Sequence, residues 1–440
     1  MLIIKNGTLV DPASGRSGMY DILVDGDKIA RIGACGSLDD MAMEAMSMSL
    51  MEGTDDTGAG LTEIDATGCV VAPGLVDCHV HFRDPGFTYK EDIETGSRAA
   101  AKGGFTTVVM MGNTNPHMDN PDTIRDVLKR GAGTGIKVYT CGNVTKGMEC
   151  QELVDMDELI KAGAVLFTDD GKPITDDALM EKACKMAAEK GVVISLHEEN
   201  PEYITDNGIN AGEVAQKLGL TGSPREAEIS MVKRDIEIAE KTGAEIVVQH
   251  ISAAESVDLI RNARQRGVRV HAEATPHHFT LTENAVLKYL SLAKMNPPLR
   301  LESDRLAIIR GLKDNTIDMI ATDHAPHSRD EKQKELKEAP SGITGLETSL
   351  ALGIRELVQT GELSLMELLE RMTVGPARVY GLDAGVIEEG RDADLVIFNP
   401  VEEWDFIQSA SKSTNTPFLG ERLPGRIHAT VCRGKVVYNI

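Results

Sequence analysis

The sequence predicts a (β/α)8 barrel with a small β-sandwich domain built from the N- and C-terminal segments. Three observations lead there. Between residue 75 and about residue 326, short apolar, β-branched runs alternate with longer segments of helical periodicity, making eight β-then-α units. Almost every one of those runs ends in a polar residue, as expected where barrel strands open onto one mouth. The two ends of the chain read differently, as short alternating strands with turn signals.

Residues 1–32 carry strand alternation punctuated by Asn6-Gly7 and Asp25-Gly26. Residues 35–61 are rich in Met, Ala, Gly and acids and lack alternation. They are expected to form an exposed loop insertion, helical around residues 39–51. The apolar run Val70-Val71-Ala72-Pro73-Gly74-Leu75-Val76 reads as a buried parallel strand leading into Asp77-Cys78-His79-Val80-His81. Side chains two apart on a strand share a face, so His79 and His81 point together.

The strands expected are 74–81, 106–111, 137–144, 164–168, 192–197, 245–250, 268–274 and 317–322. Segments 176–190, 223–242 and 254–266 between them carry helical periodicity with Gly near their ends. A doubly wound sheet would share this strand count. The strand-end residues favour the barrel: His79 and His81, Asn113, Asp169-Asp170-Gly171, His197-Glu198-Glu199, His250, Thr275-Pro276-His277-His278 and Asp323-His324. On a barrel they converge, whereas an open sheet would string them along an edge. Residues 328–339 are a charged run, read either as a solvated surface helix or as a lid over the mouth. Residues 392–440 return to alternation. The domains expected are 1–70 and 381–440 for the sandwich and 71–380 for the barrel.

A formal charge of −23 disfavours nucleic acid and anionic membranes as partners, though a local cationic pocket can still take an anionic small molecule. Seven cysteines without metal-type spacing, and an N-terminus without signal-peptide character, suit a reducing cytoplasm. No segment is long and apolar enough to span a membrane.

Four imidazoles and two carboxylates at the strand ends, His79, His81, Asp170, His197, His250 and Asp323, match borderline divalent ions such as Zn2+ and exceed what one tetrahedral site needs. Divided in two, His79, His81 and Asp323 would hold one ion and His197 and His250 the other. Asp170 and a hydroxide would bridge the two Zn2+. The plainer alternative for any one histidine is a locally hydrogen-bonded core residue.

The segments Asp77–Gly86, Phe167–Gly171, Glu273–His278, Lys294–Arg300 and Ala321–His327 resemble the bacterial class I dihydroorotases, a branch of the amidohydrolase superfamily. The resemblance runs from the first barrel strand to the C-terminus. It implies a metal-dependent barrel and reversible hydrolysis of dihydroorotate to N-carbamoyl-L-aspartate in pyrimidine biosynthesis. It also places the metal ligands on the same six residues, with Asp170 preferred to Asp169 as the bridge, and makes Asp323 the catalytic proton carrier. Relatives of the hydantoinase kind bridge with a carbamylated lysine, and no lysine precedes Asp169-Asp170 in strand four. Substrate contacts are implied at His81, Arg83, Asn113, Asn296, His327, Ser341 and Gly342. The family often has Phe where Ser341 stands, which changes the apolar contact expected there. Partners implied are a small-molecule substrate, a second copy in a homodimer and, for some members, aspartate transcarbamoylase. The alternatives are a related cyclic amidase, allantoinase or dihydropyrimidinase, and an inactive homologue supporting aspartate transcarbamoylase. That last should have lost ligands, and all six are present.

Overall fold

The computed structural model describes residues 1–41 and 61–440. Most of the segment expected as an insertion, residues 42–60, lies outside them, as does the greater part of the helix expected at 39–51. Of the part described, Leu38 is buried against Ile3 and Leu23.

Five strands open the chain: β1 (Leu2–Asp11), β2 (Arg16–Asp25), β3 (Lys28–Ala34), β4 (Thr62–Asp65) and β5 (Val70–Pro73). Eight short parallel strands follow: β6 (Leu75–Val80), β7 (Phe105–Met110), β8 (Lys137–Gly142), β9 (Ala164–Phe167), β10 (Ile194–Leu196), β11 (Ile246–Val248), β12 (Val270–Ala274) and β13 (Met319–Ile320). Three strands close the chain: β14 (Leu395–Asp405), β15 (Arg422–Cys432) and β16 (Lys435–Asn439). The first and last groups join in one sheet, ordered β16-β15-β14-β5-β1-β2-β3, with β4 also on β1. Its core packs Leu2, Ile4, Ile22 and Val71 against Leu395, Ile397 and Val431.

The apolar run beginning at Val70 divides between the two sheets. Val70–Pro73 pairs with β1 and β14, and only from Leu75 does the chain enter the barrel. A continuous β-branched run suits either sheet, so its hydrophobicity does not mark the division. Gly74 sits at the crossing, where a Cβ would collide with the Thr106 side chain.

Strands β6 to β13 lie side by side in sequence order. The ring closes because His81 N–H donates to His324 O at 2.9 Å and Val80 bridges His324 in parallel. Open-sheet topology is thereby excluded. Val76, Cys78, Val109, Cys141, Leu166, Val247 and Met319, taken from six of the strands, form one apolar cluster with Tyr380 and Ala384. Since the opposite strand faces pack outward on the helices, this cluster fills the barrel interior.

The helices carry ordinary end signals. Asp176 caps Asp177–Lys190 by accepting from Leu179 N–H at 2.8 Å, and Gly191, at φ +67°, ends it. The charged run 328–339 forms only a single turn of helix, Arg329–Lys332, and Lys332 is buried rather than solvated. Among the described residues, no helix is long and apolar enough to cross a membrane.

Candidate metal centre and active site

His79 is the last but one residue of β6, and His81 follows the strand; β6 is irregular between Asp77 and Val80, and beyond that break the alternate side chains His79 and His81 reach the mouth together. His79 Nε2 lies 3.5 Å from Asp170 Oδ1 and 3.5 Å from Asp323 Oδ1. His81 Nε2 lies 2.9 Å from Asp323 Oδ1 and 3.5 Å from Asp170 Oδ2. Across the mouth, His197 Nδ1 and His250 Nε2 approach Asp170 Oδ1 at 3.6 and 3.8 Å. Asp170 is thus the carboxylate that all four imidazoles face. Asp169 turns away, accepting from Val144 N–H at 2.9 Å and from the Thr145 hydroxyl, and so ties down the neighbouring loop.

The remaining sequence-singled residues gather around the same point. A cavity of about 220 Å³ is lined by His81, Arg83, Asn113, Asp170, His197, His250, Asn296, Asp323, His327, Ser341 and Gly342. His79 lies beneath it, 0% exposed. Arg83 Nε donates to Pro326 O at 3.3 Å, leaving its terminal nitrogens for other partners. Asn113 Oδ1 sits 3.0 Å from His81 Nδ1, and its amide donates to Asp170 Oδ2 at 3.3 Å. Arg83, His250 and Asp323 have φ of +58°, +29° and +45°. The left-handed region costs a side-chain-bearing residue about 1–2 kcal/mol, so surrounding contacts hold these three in place.

Several buried partners escaped the sequence reading. Glu273 Oε2 accepts from His79 Nδ1 at 3.0 Å, which leaves Nε2 as the lone-pair nitrogen facing Asp170 and Asp323. Tyr380 OH donates to the other Glu273 oxygen at 3.2 Å. Glu199 Oε2 lies 3.1 Å from His197 Nε2 and frees Nδ1 in the same way. The carboxylates behind these two imidazoles are a usual support for a metal-ligating histidine, while His81 Nδ1 has the Asn113 amide oxygen instead. The available signal was an acid inside an apolar strand, Val270-His271-Ala272-Glu273-Ala274.

Electrostatics concentrate negative charge at the centre. Burial alone would raise the Asp170 carboxyl, but His79 and hydrogen bonding from His197, His250 and His79 hold it well below 3.8. Asp323 is lowered likewise, burial being outweighed by His79 and His81. Burial opposes charge on His79, yet Asp323, Asp170 and Glu273 push it well above 6.5, so a proton competes with a cation for Nε2. His81 moves down, through burial and the nearby Arg83.

The donor set fits a divalent cation. His79 Nε2 is buried and has no hydrogen-bond partner among the described residues. His197 Nδ1 and His250 Nε2 face each other at 3.0 Å, a contact that repels unless a proton or a cation lies between the lone pairs. Three overlapping groups, His79/His81/Asp170, His79/His250/Asp323 and Asp170/His197/His250, each bring one ligand atom per residue within 4.8 Å of the others. Imidazole with carboxylate is the chemistry of a metal cofactor.

Comparison with known proteins agrees. Residues 70–437 match the amidohydrolase family. A dihydroorotase of Clostridioides difficile is 51% identical over 439 residues, 100% of each chain being covered. One from Clostridium acetobutylicum is 47% identical, covering 100% of this chain and 99% of its own. Among solved structures, the L-hydantoinase of Arthrobacter aurescens superposes with a TM-score of 0.84 at 27% identity, covering 100% of this chain and 96% of its own. The D-hydantoinase of a Thermus species gives 0.81 at 26%, covering 100% and 95%. With a family match over most of its length, and full-length relatives sharing about half its residues, the chain belongs to the amidohydrolase family.

Proposed function

We propose that this site hydrolyses dihydroorotate reversibly to N-carbamoyl-L-aspartate, the reaction that the names of its 51% and 47% identical relatives denote. The observation that carries the reading is that Arg83, Asn113, Asn296 and His327 share one cavity with the histidine and aspartate cluster. The substrate is a cyclic amide bearing a carboxylate, and that cavity pairs a hydrolytic centre with a cationic wall.

Two zinc ions are the expected cofactor: His79, His81 and Asp323 would hold one, His197 and His250 the other, with Asp170 shared. Bound there, they would polarise the scissile carbonyl and acidify water near neutral pH. The chain's own groups do the rest. Arg83 offers its two terminal nitrogens to the substrate carboxylate in the forked geometry that guanidinium provides. Asn113, Asn296 and His327 fix the ring, so that the carbonyl meets the attacking water in one orientation. Asp323, 2.9 Å from His81, accepts the proton of the attacking water on its carboxylate. It then returns that proton to the departing ring nitrogen, which is a poor leaving group as an anion. In cyclisation the same carboxyl starts protonated.

Hydrolysis rates on dihydroorotate, allantoin and dihydrouracil, measured beside metal content, test the reading. Dihydroorotate should be turned over fastest. Faster turnover of allantoin or dihydrouracil would replace the reading with that of a different cyclic amidase.

A further inference from the structure

Ser341 stands where the resembling family often has an aromatic residue, and its hydroxyl is spent inside the protein. Oγ donates to Asn296 Oδ1 at 3.0 Å, with Asn207 Oδ1 a more distant competitor at 3.3 Å. A hydroxyl has one hydrogen, so the shorter contact takes it. With Oδ1 occupied, Asn296 is left with its NH2 group for the cavity it lines.

The strap that carries Ser341 is fixed by two buried lysines. Lys294 Nζ donates to three carbonyls, Leu336 O at 2.9 Å, Lys337 O at 3.1 Å and Ala339 O at 2.7 Å. Lys332 Nζ donates to Pro340 O and Gly342 O at 2.9 and 3.0 Å. Asn415 adds a bond to Gly342 O at 2.9 Å, while its own Oδ1 accepts from His327 N–H at 2.9 Å. Gly342 N–H donates to Lys294 O at 2.9 Å, two residues before Asn296. On the other side, His278 Nε2 lies 3.0 Å from Pro297 O. The strap and the Asn296 segment are therefore tied to each other through Lys294, and each has a further anchor of its own, Lys332 and Asn415 for the strap and His278 for Pro297.

We propose that Ser341 is a positioning residue, locking the Asn296 amide so that it presents its NH2 group to an acceptor atom of the substrate. Dihydroorotate is rich in acceptors, with a carboxylate and two ring carbonyls. An amide free to rotate about its last bond would spend part of its time offering oxygen to oxygen. The hydroxyl removes that alternative before substrate arrives. The inference rests on the dihydroorotate reading of the cavity.

Steady-state kinetics on the metal-loaded enzyme test it. Ser341→Ala is expected to raise KM for dihydroorotate about three- to ten-fold, the worth of one neutral hydrogen bond, with kcat kept within about two-fold. Metal content should not change. Ser341→Thr keeps the hydroxyl and should keep KM near the parent's. Asn296→Ala should raise KM by itself, and adding Ser341→Ala to it should add little, because the hydroxyl acts through that amide. An unchanged KM in Ser341→Ala, or fully additive effects in the double variant, would overturn the assignment while leaving the dihydroorotate reading intact. A parent enzyme that does not turn over dihydroorotate would overturn both.

Discussion

Asp77, inside the first barrel strand, accepts from both the backbone N–H and the hydroxyl of Thr322, just beyond the last strand, at 3.2 and 2.5 Å on Oδ2. The same carboxylate takes the His79 N–H at 3.1 Å. One buried acid thus closes the barrel and sets the spacing between His79 and Asp323. Asp77→Ala would leave three buried donors unpaired and should lower unfolding free energy by on the order of 3 kcal/mol. Thr322→Val removes only the hydroxyl and should cost about 1 kcal/mol. Denaturant midpoints for the two variants check the order. Equal losses would show that the two backbone bonds to Asp77 contribute nothing.

Glu273 is the acid behind His79. Glu273→Gln keeps the shape but gives His79 Nδ1 a weaker acceptor, and metal affinity should fall about 10- to 100-fold. Tyr380→Phe removes one bond to Glu273 and should have a smaller effect in the same direction. Competition against a chelator of known affinity measures both. Unaltered affinity in Glu273→Gln would reduce that acid to a packing role.

Asp170 is the carboxylate on which the imidazoles converge. The parent protein should bind about two zinc ions per chain, and Asp170→Ala should lose more than one of them, because both sites share that residue. Elemental analysis after dialysis decides it. Full metal content in the variant would mean that Asp170 belongs to neither site.

How much of this was legible depends on what each residue does. His79 and His81 stood out because two imidazoles at a strand end have no packing purpose, and convergence at the mouth follows from the barrel alone. Asp77, Glu273 and Glu199 went unassigned because a structural acid and a supporting acid look alike in a strand. Only the partner across the barrel tells them apart. The sheet that Val70–Pro73 joins was equally hidden, since both sheets want apolar β-branched residues. The charged run at 328–339 gave no hint of its buried lysine. Lys332 is buried by bonds to Pro340 and Gly342, which charge patterning does not encode.

Arg83 lies half-buried at the cavity, and among the described residues no carboxylate stands within ion-pair distance of its guanidinium. A cation held this way is poised for an anion from outside. Arg83→Lys keeps the charge but loses the fork, and should raise KM for dihydroorotate by roughly ten-fold or more, since one charge-assisted hydrogen bond is worth about 1.5–3 kcal/mol. Metal content should be unaffected. A KM equal to the parent's would move the carboxylate contact to another residue.

Lys332 provides a test by pH away from the metal ligands. Burial, then repulsion from Lys294, lowers its ammonium from 10.5 to about 7, with Glu331 opposing the shift. Below pH 7 the folded and unfolded chains both carry this proton, and the full cost of burying the charge is present. Between about pH 7 and the ordinary lysine value the unfolded chain holds a proton that the folded chain has released, so this residue makes stability rise with pH across that window. A neutral amine still has two N–H groups for Pro340 O and Gly342 O, so the strap keeps its bonds when the charge is lost. Lys332→Met lacks the titration. The difference in unfolding free energy, parent minus variant, should therefore grow between about pH 7 and pH 9, by an amount on the order of 1 kcal/mol or more. Denaturation curves at several pH values measure it. A difference that stays flat would mean that Lys332 keeps its proton throughout, with enough local polarity to hold a full charge in the strap.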